Sequence, residues 1–243
     1  MRQRVRRTTD TRAPSVPGRA PRHTWRFGTP GRVPGEYPRR ARVLRAQPTD
    51  GEVTSDVSQS PPILVETVDP DGTATGEMEK LAAHAAPGTL HRAFSLFAFD
   101  GGRLLLQRRA AVKYHSPLVW TNTACGHPFA GEAPADAVRR RASDELGLAL
   151  ADLEEVGTVR YQVLDERTGL AEHEFNHVFV ARTDGPLALN PDEVDSVRLV
   201  DADGLAAVRA EHGLTAWFDH VWDTALPAVS SRFPSFASVS RDH

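Results

Sequence analysis

The stretch Trp120-Thr121-Asn122-Thr123-Ala124-Cys125-Gly126-His127-Pro128 holds the chain's single cysteine two positions from a histidine. Side chains alternate along an extended backbone, so Cys125 and His127 are expected to face one pocket, a thiol beside an imidazole. Gly126 between them lets other groups come close. A cysteine taken alone is a small buried hydrophobe, so a chemical role needs partners elsewhere in the chain.

Such partners exist. His84, His91, His127, Glu172 and Glu174 are imidazole and carboxylate groups without thiolate, the donor set of a divalent metal of intermediate softness. On a strand Glu172 and Glu174 project to one face, where loop histidines could meet them. Taken singly, each would be an ordinary solvated residue. The same region, His173-Glu174-Phe175-Asn176-His177, spells the H-E-x-x-H pattern of zinc proteases, which needs a helix to stack its histidines. Val178-Phe179-Val180 and the Asp184-Gly185-Pro186 turn favour a strand instead, on which Glu174 points away from both histidines.

The elements that must position these groups follow from pattern. Ile63 to Val68 is a β-branched run ending in Asp69-Pro70-Asp71-Gly72, a strand and turn. Glu77 to His84 has helix-forming composition and stops at Pro87-Gly88, a loop that would present His84 and His91. Ala93 to Phe99 and Arg103 to Gln107 flank Asp100-Gly101-Gly102, a hairpin signal. Pro134 to Leu146 reads as a helix with Pro in its first turn, Gly147 at its end and an apolar face of Ala135, Val138, Ala142 and Leu146. Val156 to Leu164 and Glu172 to Arg182 are expected strands, and Asp195 to Val200 another. Asp201 to Glu211 and Leu214 to Leu226 are expected helices. The order implies an α+β sandwich with a mixed sheet.

Composition sets the limits. Of 243 residues with formal net charge −3, residues 1–60 are rich in Arg and Pro and lack apolar period, so we read a disordered tail, then a domain over 61–230 and a C-terminal tail over 231–243. The prolines argue against a transit peptide and the lack of interleaved aromatics against a nucleic-acid arm; translation assigned from too early a start is as compatible with the tail. One cysteine excludes an internal disulfide framework, and no run approaches a membrane span, which together suggest a cytoplasmic protein. We expect a monomer or weak dimer, an expectation that composition does not set. Basic residues are almost all Arg. The lysines, Lys80 and Lys113, lie beside the motifs above.

From Gly126 the order Gly-x5-Glu132-x7-Arg140-Arg141-Ala142-x-Asp144-Glu145-x-Gly147-Leu148 resembles the Nudix box, a Gly-loop and helix whose acids hold magnesium against a diphosphate. Arg141 stands where the box has an acid and Asp144 where it has Glu, which argues against efficient pyrophosphate hydrolysis. Together with Trp120 to Pro128 and Glu172-His-Glu174, the chain over about 62 to 230 resembles the type I isopentenyl-diphosphate isomerases, a Nudix-fold branch. The resemblance implies a Nudix-like α/β/α sandwich and an enzyme that interconverts isopentenyl and dimethylallyl diphosphates.

It further implies Cys125 as one catalytic group and Glu172, with Tyr161 nearby, as the opposite one. His84, His91, His127, Glu172 and Glu174 would hold one metal (Mn2+, Zn2+ or Mg2+), and Glu145 with the Cys125 carbonyl a magnesium that arrives with the diphosphate. Lys80, Arg109, Lys113 and Arg141 would meet the diphosphate, and Trp222, in preference to Trp217, the hydrocarbon. In chemical terms Glu172 would be the acid and a Cys125 thiolate the base, with an indole face lowering the energy of the intervening cation. Two alternatives stay open: a Nudix hydrolase of a nucleoside diphosphate derivative, and a non-catalytic metal- or ligand-binding domain.

Overall fold

The computed structural model describes residues 62–237; the expected N-terminal tail, and the last six residues of the chain, lie outside them. The chain begins with a hairpin, β1 (Leu64–Val68) and β2 (Ala74–Glu79), followed by the short α1 (Lys80–His84). The helix expected over Glu77 to His84 is therefore strand at Glu77 to Glu79 and helix only from Lys80. The Asp69–Gly72 turn returns the chain onto the edge of β1, and the ladder Glu66↔Glu77, Val65↔Met78, Leu64↔Glu79 overrides helix propensity. Helix begins only where the Glu79 carboxylate caps Ala82 N at 2.8 Å.

The central strands are β3 (His91–Asp100), β4 (Arg103–Arg109) and β8 (Leu170–Arg182), with β8 parallel to β3. β3 is apolar nearly throughout because helices cover both of its faces. Phe94, Leu96 and Ala98 face α2 (Pro134–Leu146) through Ala137, Val138, Ala142 and Leu146. Phe97 and Phe99 face the other core, which holds Phe218, Val221, Trp222 and Ala225 of α4 (Phe218–Arg232). This is an α/β/α sandwich on a mixed sheet, as expected. α2 has the expected bounds and ends at Gly147, whose φ of +66° and a would-be Cβ 2.7 Å from Ala188 Cβ leave room for glycine alone.

The functional stretch sits in a split of this sheet. β3 and β4 pair only at Phe99↔Leu104 and Asp100↔Arg103, then part. Into the gap come β5 (Trp120–Thr121), against β4, and β6 (Ala124–Gly126), against Phe94 to Leu96 of β3. Thr123 and Asn122 staple the split: Thr123 Oγ1 donates to Leu105 O (2.6 Å) and accepts from Ala98 N (2.8 Å), while Asn122 Nδ2 donates to Leu96 O (3.3 Å) and Ala124 O (2.7 Å). All four bonds are buried, where an unmet backbone group is costly.

β7 (Ala151–Asp165) forms a long hairpin with β8 that sets Tyr161 opposite Glu174. β9 (Val194–Val200) pairs with β4, and α3 (Ala202–His212) follows it. The last helix starts at Phe218 rather than Leu214, because Thr215 N is already bonded to Trp120 O at 3.0 Å. The packed body also runs past the expected boundary at 230, since Phe233 and Phe236 are buried in the α4 core. No helix among the described residues is long and apolar enough to cross a membrane.

Candidate active site

Four elements bring the five candidate metal ligands together. His84 closes α1, His91 opens β3 and His127 follows β6, while Glu172 and Glu174 share one face of β8. One ligand atom from each lies within 4.8 Å of all the others. His84 Nδ1 lies 2.7 Å from Lys80 O and His91 Nδ1 lies 2.7 Å from Thr89 O. Those carbonyls hold the hydrogen on Nδ1 and leave each Nε2 as a lone pair aimed into the cluster.

The chemistry of the cluster fits a cation. His84 Nε2 and Glu172 Oε2 face each other at 3.1 Å, both buried and neither with a hydrogen-bond partner. His91 Nε2 and His127 Nε2 are 3.1 Å apart, and Glu174 Oε1 is 3.3 Å from His127 Nε2. Two ligands bound at about 2.1 Å and at roughly right angles are separated by about 3 Å. Burial pushes the His91 imidazole down to about 4 and His127 well below its usual range, so both are neutral at pH 7, the form that binds metal. A divalent metal is what this set of donors is built to hold.

The two glutamates are not equivalent, and here the structure corrects the sequence reading. Tyr161 OH donates to Glu174 Oε2, and Asn176 Nδ2 donates to the same oxygen at 2.9 Å; neither bond goes to Glu172. Burial, reinforced by the neighbouring charge of Glu172, raises the Glu174 pKa well above the usual carboxylate range. Burial acts in the same direction on Glu172, but contacts from His115 and His84 outweigh it and hold its pKa well below that range. The carboxyl group beside the tyrosine, and the one whose surroundings favour the proton, is thus Glu174. The strand period made the pair legible, but which member met Tyr161 depended on the β7–β8 register.

Beside this cluster lies a cavity of about 320 Å3 lined by Cys125, Glu172, Glu174, Tyr161, Trp217 and a set of cations. Lys80, Arg109, Lys113, Arg140 and Arg141 all reach it, so the expected diphosphate-binding residues converge. Burial, reinforced by the neighbouring charges of Lys113 and Arg141, lowers the Lys80 pKa. Glu193, which the sequence reading missed, pairs with both Lys113 and Arg141. Glu145 does not line the cavity. It is buried behind Arg141, which it pairs with, and accepts from Gln107 Nε2 at 3.1 Å.

Two further expectations change. Trp222 packs in the core against Phe97, with ring centroids 5.1 Å apart, whereas Trp217 lines the cavity with its face 5.4 Å from the Arg109 guanidinium. Trp222 sits one turn inside α4, on its buried face, while Trp217 is the residue before the helix and can turn outward to the site. Cys125 faces the cavity with His127, as its spacing implies, but as a thiol: burial pushes its pKa up to about 12, against the opposing pull of Arg109, whose Nη1 is 4.0 Å from Sγ. His173 and His177 point elsewhere, to Gly88 O at 3.0 Å and Glu155 Oε1 at 2.7 Å, so the protease pattern has no structural counterpart.

His115 and Tyr114 were also missed. Both lie between the cations and Trp120, and the aromatic and imidazole types in Lys113-Tyr114-His115-Ser116 were the available signal.

Comparison with known proteins agrees with this architecture. Residues 89–220 match the NUDIX domain family, which defines the class of the fold and site. The crystal structure of DR0079 from Deinococcus radiodurans shares that fold at a TM-score of 0.50 and 18% identity, covering 70% of this chain and 98% of that one. Within the class the likeness is closer. The isopentenyl-diphosphate Delta-isomerase of Streptomyces griseus subsp. griseus is 54% identical over 168 residues (69% of this chain, 85% of the relative), and that of Burkholderia multivorans 47% over 166 (67% and 93%). The chain belongs to the isopentenyl-diphosphate Delta-isomerase family.

Proposed function

We infer that the chain interconverts isopentenyl diphosphate and dimethylallyl diphosphate. The reaction adds a proton at C4 of the alkene and removes one from C2, with positive charge at C3 between the two events. It therefore needs an acid, a base, an anion grip and little water. The observation that carries the inference is that one cavity is lined by Cys125, Glu174 with Tyr161, Trp217 and the cations.

Lys80, Arg109, Lys113 and Arg141 would take the diphosphate, displacing Glu193 from Lys113 and Arg141, and this remote binding energy would orient the five-carbon chain. Glu174 is the proton donor to C4: burial favours its protonated form, and Tyr161 and Asn176 fix its orientation. Cys125 takes the C2 proton as a thiolate, the resting thiol having first given its proton to solvent as substrate enters. Burial opposes that thiolate and Arg109 favours it, and in the reverse reaction Cys125 returns the C2 proton while Glu174 accepts one.

The Trp217 face stabilises the cation at C3. His84, His91, His127, Glu172 and Glu174 would hold Mn2+, Zn2+ or Mg2+, and Glu145 would serve a magnesium that accompanies the diphosphate once Arg141 moves to the substrate. The metal's charge would strengthen the acid at Glu174.

The deciding experiment is incubation with isopentenyl diphosphate and Mg2+ in deuterium oxide. Dimethylallyl diphosphate carrying deuterium is the expected product. Release of inorganic phosphate or pyrophosphate in its place would establish a hydrolase.

A further inference from the structure

The loop between β4 and β5 holds a histidine to which no role has yet been given. His115 is 2% exposed. Its Nδ1 lies 2.8 Å from Glu172 Oε1 and its Nε2 3.4 Å from Asp165 Oδ2, so the imidazole sits between two carboxylates. Its ring stacks on Trp217, centroids 5.4 Å apart and planes 18° from parallel. Its carbonyl accepts from Arg109 Nε at 3.1 Å and Nη2 at 2.9 Å.

The backbone around it is held in a costly shape. Ser116 and Leu118 have φ of +45° and +58°, a region that L-residues rarely occupy without compensation. Compensation comes from Asp165 at the end of β7, whose Oδ2 accepts from both Ser116 N (3.2 Å) and Ser116 Oγ (2.8 Å). The strain, the stack and the two bonds from Arg109 all fix one ring in one place.

We propose that His115 is a positioning residue: it engages Oε1 of Glu172 so that Oε2, which faces His84 Nε2 at 3.1 Å, points into the metal cluster. Outer partners of this kind orient a ligand before the metal arrives, and their loss typically weakens metal binding by about 10- to 100-fold. The proposal rests on Glu172 being a metal ligand.

The test is Mn2+ titration of the full chain, read by electron paramagnetic resonance, in four forms: wild type, Glu172→Gln, His115→Phe and His115→Asn. Phe keeps the stack on Trp217 and removes the contact with Glu172; Asn places an amide N–H near the position of Nδ1. We expect His115→Phe to weaken Mn2+ binding by about 10- to 100-fold with inorganic pyrophosphate binding unchanged, and His115→Asn to recover most of that loss. Wild-type affinity in His115→Phe, with a loss in Glu172→Gln, overturns the proposal alone. Unchanged affinity in Glu172→Gln overturns the metal-site reading and the proposal with it. Should His115→Phe not fold, His115→Leu, which also lacks a donor to Glu172, takes its place: a loss of about 10- to 100-fold that His115→Asn recovers supports the proposal, and wild-type affinity overturns it.

Discussion

The two tryptophans near the C-terminus allow the site geometry to be tested by a double dissociation. Both are buried to the same degree, but Trp217 lines the cavity and Trp222 does not, its ring packing near Phe97, Phe218 and Phe236 at 5.1, 6.0 and 5.9 Å. A desolvated cation over an indole gains on the order of 2 kcal/mol. At about 1.4 kcal/mol per decade, Trp217→Leu should lower kcat by roughly 30-fold. Trp222→Leu removes no group from the site, so kcat should stay near wild type.

Its cost falls on stability instead. Shrinking a buried indole to an isobutyl group leaves a partial cavity, on the order of 2 kcal/mol, or about 4–8 °C in Tm for a domain of this size. The assays are conversion of isopentenyl diphosphate, quantified through the acid lability of the allylic product, and thermal melting of both variants. A folded Trp222→Leu protein with a 30-fold lower kcat, or a Trp217→Leu protein at full kcat, would refute the assignment of the cation-facing indole.

Glu174→Gln should abolish isomerisation and label exchange while inorganic pyrophosphate still binds, whereas Glu172→Gln should act first on Mn2+ affinity; the reverse pattern in a titration and a turnover assay would return the acid role to Glu172. With the Cys125 thiol at about 12, its alkylation by iodoacetamide should rise about tenfold per pH unit from pH 7 to 9.5 without a plateau, and a plateau near pH 8.5 would mean an activated thiolate. In metal-stripped protein, His91 binds its proton less readily folded, at about 4, than in the unfolded chain near 6.5. The unfolded state therefore holds more protons between those values, and Tm should fall as pH is lowered across that window; a flat profile would show that His91 is hydrated.

Much of this protein is legible along the chain. The 3.6-residue period and Gly147 set α2, the Asp100-Gly101-Gly102 turn set the β3–β4 hairpin, and alternation placed Cys125 beside His127 and Glu172 beside Glu174. These are local properties, fixed by dihedrals and side-chain period. Propensity failed at Glu77-Met78-Glu79, where the β1 ladder competes with the helix and wins.

What only the tertiary structure decided is which of two nearby candidates meets which partner. Glu174 rather than Glu172 meets Tyr161 because a hairpin register pairs them, and Trp217 rather than Trp222 meets the cavity because α4 starts after it. The protonation of Cys125 is set by how much protein surrounds it, and the place of His115 between Asp165 and Glu172 by a loop closing onto a distant strand. Residue types and spacings along one chain name the candidate groups. Register, burial and loop closure join residues far apart in sequence, and those long-range contacts set which candidates face one another.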